Sequence, residues 1–214
     1  MGPSLKSELI PCVQSKKILV VLHGRGDSLA GFRWLPSALG LDINYLLVTA
    51  PDPYFTGFSW YDLPPNQKPG VDRSRLLLDQ LFSELELQGF SSRNQALLGF
   101  SQGCLMALEW GARTTRSLAG FIGISGYCLD PNALLLERTP ASQDTRWLIT
   151  HGDRDAVLDF ARTEQQMLQL KNAGWPLDFH TFAKDHTIDE KIELPLIRSF
   201  IASVLGVAES CERS

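Results

Sequence analysis

Short apolar runs, each the length of a strand, alternate along this chain with longer stretches in which apolar residues recur every three or four positions. Residues 17–22 form the first run, apolar and β-branched from Ile18 to Leu22, as a strand buried on both faces requires. Residues 45–49 repeat the type and end at Ala50-Pro51, and 95–100, 118–125, 147–150 and 177–182 complete six predicted strands. Between them the spacing turns helical. Residues 104–110 hold good helix formers without Pro or Gly, and 76–85 set an apolar face against a polar one. A third helix over 160–171 stops at Asn172-Ala173-Gly174, and a last one over 188–205 contains Pro195, which either kinks it or marks a new first turn. This order predicts an α/β protein with a mostly parallel sheet, helices on both faces, and ligands beyond the carboxyl ends of the strands. No repeat, low-complexity tract or linker divides the 214 residues, so 1–214 reads as one domain. The one long irregular stretch is 51–70, where Pro51, Pro53, Pro64, Pro65 and Pro69 oppose regular structure. Its aromatic residues favour a functional loop.

Composition narrows the function classes. Charged residues make up 21% and hydrophobic ones 44%, ordinary for a soluble globular protein, and the formal net charge of −4 argues against a nucleic-acid partner. No apolar run reaches membrane-spanning length, and the first 14 residues lack the apolar core of a signal peptide. Lys6 stands where a myristoylation motif on Gly2 needs Ser or Thr, and Glu212 and Arg213 break a prenylation box at Cys211. Cys12, Cys104, Cys128 and Cys211 form no metal-ligand spacing, and unpaired thiols point to a cytoplasmic location.

The candidate chemistry centres on Gly99-Phe100-Ser101-Gln102-Gly103. Set between a predicted strand and a predicted helix, G-x-S-x-G is the nucleophile elbow of α/β hydrolases. A serine hydroxyl needs a base, an orienting carboxylate and an oxyanion hole. Of the four histidines, His23 and His151 precede the strand-end glycines Gly24 and Gly152, and His180 lies mid-strand. His186, in the polar loop 183–187, is left as the base. The acid follows the strand 147–150, where Asp153 and Asp155 compete and Asp159 is a weaker third. Asp153 suits the setting of the turn, and Asp155, one step further round, suits the acid. One oxyanion donor is the N–H of Gln102, and the second comes from the glycine-rich loop 22–27. That loop is no Walker A motif, having no Lys in the required place.

Four segments together, Leu22-His-Gly-x-Gly-Asp27, Ser59-Trp-Tyr-Asp62, Gly99-Phe-Ser-Gln-Gly103 and His151-Gly-x-x-Asp155, resemble the phospholipase/carboxylesterase family, which includes acyl-protein thioesterases and small bacterial carboxylesterases. The resemblance implies an α/β-hydrolase fold without a large lid domain and a triad of Ser101, Asp155 and His186. It also implies backbone oxyanion donors at Arg25 and Gln102, and no cofactor or metal. The expected activity is hydrolysis of a carboxylic ester or thioester through an acyl-enzyme on Ser101. The expected partner is a small ester or thioester, an acylated lipid or an acylated protein. The oligomeric state stays open, a homodimer included. Phe55, Phe58, Trp60 and Tyr61 are expected to wall the acyl site, with core packing the competing role for Trp60. Two rival readings are a hydrolase-fold receptor that has lost catalysis and a peptidase on the same fold. The chain also departs from similar proteins, with Cys104 where they often have Gly, Asp159 where they have Pro, and Asp185 where Gly usually precedes the histidine. A carboxylate at 185 either lies near the imidazole and favours its charged form or points into water.

Overall fold

A computed structural model describes residues 4–209; the terminal patterns at Gly2 and Cys211 lie outside them. The strands are β1 (Ser7–Ile10), β2 (Ile18–Leu22), β3 (Asn44–Val48), β4 (Asp52–Tyr54), β5 (Gly57–Ser59), β6 (Gln95–Phe100), β7 (Gly120–Ile124), β8 (Arg146–Gly152) and β9 (Leu177–Phe182). The helices are α1 (Leu35–Leu39), α2 (Gln67–Leu87), α3 (Gln102–Gly111), α4 (Pro131–Glu137), α5 (Pro140–Asp144), α6 (Phe160–Asn172) and α7 (Glu193–Leu205). Among the described residues the main sheet runs β1-β3-β2-β6-β7-β8-β9, parallel throughout except for β1, which pairs antiparallel with β3.

The unbroken apolar strands serve two cores. Ile18, Val20 and Leu22 face one layer, built from α2, α3, α4 and α6, while Leu19 and Val21 face the other, built from α1 and α7. Alternate side chains of a strand point to opposite faces, so a strand covered on both sides must be apolar at every position. In the first layer a run of rings ties α2 and α3 to the sheet: Phe82 stacks 4.2 Å from Trp110, Trp110 meets Phe121 edge-on at 6.2 Å, and Phe121 stacks 4.1 Å from Trp147. These contacts fix α3, whose N-terminus carries the elbow.

The structure corrects several element boundaries. β1 was not expected, because an edge strand exposed on alternate residues has no apolar run. The stretch 51–70 is not wholly irregular: β4 and β5 form a small hairpin within it, and α2 begins at Gln67. Pro69 therefore sits in a first helical turn, where backbone N–H groups have no intrahelical acceptor and proline loses nothing. Pro195 does the same in α7, which starts at Glu193 rather than at residue 188. β8 runs two residues past the expected end, and pairing of His151 and Gly152 with β9 carries it toward the site. No helix among the described residues is long and apolar enough to cross a membrane.

Candidate active site

Ser101 occupies the turn between β6 and α3 with φ of 55°, a left-handed conformation unfavourable for any residue bearing a Cβ. Its N–H is held by the Ile124 carbonyl at 2.9 Å, which continues the β6–β7 ladder into the turn. A Cβ on Gly99 would collide with the Gly103 carbonyl, and one on Gly103 with the Leu22 carbonyl. Both glycines are therefore demanded by close approach. Cys104 is accommodated by further glycines, since its side chain occupies the space a Cβ at Gly123 or Gly126 would need. Burial pushes the Cys104 thiol up to about 12, so it stays protonated and is no rival nucleophile.

Three loops at the carboxyl end of the sheet bring their polar groups together. His186 Nε2 lies 2.9 Å from Ser101 Oγ, and His186 Nδ1 lies 2.7 Å from Asp155 Oδ2. The other carboxylate oxygen of Asp155 accepts the N–H groups of Val157 at 2.8 Å and Leu158 at 2.9 Å. Burial works to raise the Asp155 pKa, but the hydrogen bonds from His186, Leu158 and Val157 outweigh it and hold the carboxyl below the usual aspartate value. An ionised Asp155 accepts only, so His186 carries its proton on Nδ1 and presents a lone pair to the Ser101 hydroxyl. Asp153 lies outside this chain of bonds, with a half-exposed side chain beside Arg154. Asp185 is exposed, and its carboxylate makes no hydrogen bond to His186 among the described residues. His180 is exposed on β9.

Among the described residues the backbone N–H groups of Arg25 and Gln102, the expected oxyanion donors, are engaged by no acceptor. Their loops are held by bonds that sequence reasoning did not supply. Gly26 N–H donates to the Phe58 carbonyl and Phe58 N–H to the Asp27 carbonyl, which stitches the β4–β5 hairpin to the first glycine loop. The Gln102 side chain accepts from Trp60 N–H at 2.9 Å and donates to the Tyr61 carbonyl at 2.9 Å. The Trp60 indole donates to the His23 carbonyl at 2.9 Å.

The four aromatic residues expected at the acyl site are not brought together there. Trp60 is fully buried and serves as a scaffold, Phe58 is half-buried in the hairpin, and Phe55 projects into solvent with 93% exposure. Only Tyr61 lines the cleft over Ser101, a space of about 340 Å³ closed on its sides by Leu63, Pro64, Val157 and Leu158. A short aromatic-rich segment does not reveal which rings face inward until the β4–β5 hairpin and the bonds to Gln102 fix its path. Phe100, by contrast, was not singled out, yet its ring packs 5.1 Å from the His186 ring.

Lys184 was missed as well. Its side chain is 2% exposed, and its ammonium contacts Ser125 Oγ at 3.1 Å, the Thr187 carbonyl at 2.6 Å and Glu193 Oε1 at 2.8 Å. It ties both sides of His186 to β7 and α7, and only a burial pattern invisible in one sequence separates it from a surface lysine. Lys184→Met leaves the Glu193 carboxylate buried without its partner and should cost about 3–5 kcal/mol in urea unfolding. The double variant Lys184→Met/Glu193→Gln should recover part of that loss. A single variant within about 1 kcal/mol of the parent would remove the clamp from the account.

Two buried histidines add a pH dependence. Burial lowers the pKa of both His23 and His151, outweighing the Gly24 carbonyl at the first and Asp155 at the second. Both are neutral in the fold and take up protons more readily when unfolded. The stability this gives is complete above their ordinary value of 6.5 and is lost as pH falls through the lowered folded values. Tm should therefore drop as pH falls below 6.5, less steeply in His151→Gln. Equal slopes for variant and parent would contradict the assignment of His151.

Comparisons with known proteins bear on the family and the fold. The sequence profile of the phospholipase/carboxylesterase family matches residues 10–205. Acyl-protein thioesterase 1 of Yarrowia lipolytica is 30% identical over 181 residues, 73% of this chain and 80% of that protein. Lysophospholipase-like protein 1 of Mus musculus is 25% identical over 206 residues, 87% of this chain and 86% of that protein. The crystal structure of esterase PE8 superposes with a TM-score of 0.81 and 28% identity, covering 95% of this chain and all of the other. The Bacillus cereus carboxylesterase reaches the same TM-score at 15% identity over 95% of this chain and 96% of the other, a likeness of fold.

Proposed function

Since the chain belongs to the phospholipase/carboxylesterase family and is a hydrolase of the esterase or thioesterase kind, we propose that it cleaves carboxylic esters or thioesters through an acyl-enzyme on Ser101. The observation that carries this reading is the unbroken line of hydrogen bonds from Asp155 through His186 to Ser101, at 2.7 and 2.9 Å.

Ser101 Oγ attacks the carbonyl carbon while His186 Nε2 takes the hydroxyl proton. Asp155 holds the ring in the required tautomer and stabilises the imidazolium. The negative charge forming on the carbonyl oxygen is met by the N–H groups of Arg25 and Gln102, each worth roughly 3–4 kcal/mol at the transition state if it acts as oxyanion donors commonly do. The amide of Gln102 also opens α3, whose N-terminal partial positive charge favours the same oxygen. Collapse expels the alcohol or thiol, which takes the proton from His186. Water, deprotonated by His186, then attacks the acyl-enzyme and regenerates Ser101. The nucleophile, base, acid and oxyanion donors of these steps all belong to the chain.

The cleft is short, and no large domain covers it among the described residues, which favours soluble esters with short or medium acyl chains over emulsified triglycerides. The acyl donor is a small molecule or an acylated lipid or protein. The free thiols of Cys12, Cys104 and Cys128 support a cytoplasmic setting. A panel of p-nitrophenyl esters of increasing chain length, one acyl thioester and emulsified triolein, assayed with EDTA present, tests the reading. Turnover is expected for the short and medium esters and the thioester. Interfacial activation on triolein would make the protein a lipase instead, and turnover of no substrate would leave the fold as a receptor.

A further inference from the structure

The cleft over Ser101 is walled by apolar side chains on its sides but carries polar and charged groups as well. Beyond Tyr61 its wall carries Gln67, Tyr127 and Arg162, and Arg25 lies on the oxyanion side. Arg162 stands in the first turn of α6, with its guanidinium carbon 5.5 Å from the centre of the Tyr127 ring. The Tyr127 hydroxyl in turn accepts from Gln67 Nε2, which holds the ring in place. Stacking of this kind occupies one face of a guanidinium and leaves its N–H edges free.

Those edges meet no carboxylate. Among the described residues Arg162 and Arg25 form no ion pair, whereas Arg33, Arg73, Arg113 and Arg116 each pair with an Asp or Glu. Asp159 lines the same cleft, but its carboxylate is turned to the start of α6, where it caps the helix and accepts the Ala161 N–H at 3.1 Å. A stacked, unpaired guanidinium facing a substrate cleft suits an anion, because its planar fork matches the oxygens of a carboxylate or phosphate.

We propose that the preferred substrates carry an anionic group, a carboxylate or phosphate, away from the scissile bond, and that Arg162 recognises it with Arg25 adding positive potential at the mouth. The proposal rests on the esterase reading and names the substrate class for that site. Arg162 contributes to specificity and is remote from the chemical steps.

Two matched pairs of esters test it. One puts the charge on the acyl side, p-nitrophenyl hydrogen adipate against its methyl ester. The other puts it on the leaving group, 4-acetoxybenzoate against methyl 4-acetoxybenzoate. The ratio of kcat/KM, charged over neutral, should be about tenfold in favour of the anion in one pair at low salt, and that pair reports the side on which the anion sits. It should fall toward unity in Arg162→Met and be partly kept in Arg162→Lys. A ratio at or below unity in both pairs overturns the proposal while leaving the esterase reading intact. So does a preference that Arg162→Met does not change. Hydrolysis of none of the four esters overturns both readings.

Discussion

Ser101→Ala is expected to fold as the parent does and to lose about 10⁴- to 10⁶-fold in kcat/KM on every ester the parent turns over. The loss is large because the covalent step has no other acceptor for the acyl group, and the residual rate reflects only the oxyanion donors and substrate binding. Stability should change by less than about 1 kcal/mol, since alanine at φ of 55° bears the same backbone strain as serine. Ser101→Gly provides the internal control. It removes the hydroxyl and the strain together, so it should be equally inactive and more stable than the parent by about 1 kcal/mol. Chemical denaturation of both variants beside the activity assay checks the pair of expectations. An inactive alanine variant that is also grossly unfolded would mean that the hydroxyl is structural rather than chemical.

Asp155→Asn should be nearly as severe, about 10⁴-fold in kcat, for a geometric reason. The asparagine carbonyl oxygen can still accept the Val157 and Leu158 N–H groups, which turns its NH₂ toward His186 Nδ1. Two donors cannot face each other, so the imidazole moves its proton to Nε2 and presents N–H, not a lone pair, to Ser101. Asp153→Asn, in a half-exposed position outside the relay, should stay within about threefold of the parent. The reverse ranking in purified variants would move the acid to Asp153. The Asp155 carboxyl is held below its ordinary value of 3.8, so it stays ionised through the neutral and mildly acidic range. Its share of folding stability is present above 3.8 and is lost only as pH falls through the lowered value.

The inner parallel strands of the main sheet were legible because strands covered on both faces have to be apolar at every position, as 18–22 and 96–98 are. β1 and the β4–β5 hairpin were not, because short edge strands carry polar residues and their pairing is decided by distant backbone. Pro69 misled for a related reason: whether a proline breaks a helix depends on where the helix starts, and Asn66 makes no side-chain cap bond at the start of α2, whereas Pro195 marks the first turn of α7, one of its two expected roles. At the site, Ser101, Asp155 and His186 could be named because each follows a strand in a fixed order and histidines are few. The side-chain roles around them could not. Trp60 and Tyr61 are neighbours in sequence, yet one is buried behind the first glycine loop and the other faces the cleft. Lys184 and Glu193 look like surface charges until α7 packs over the His186 loop.

The most direct test of the acyl-enzyme is to observe it. The enzyme is mixed with excess p-nitrophenyl butyrate, quenched in acid within the first turnovers, and read by intact-protein and peptide mass spectrometry, with a fluorophosphonate as the irreversible counterpart. One butyryl group and one phosphonyl group on Ser101, and neither adduct on the Ser101→Ala variant, is the predicted result. An adduct on any other residue, or ester turnover with no adduct from either reagent, would contradict it.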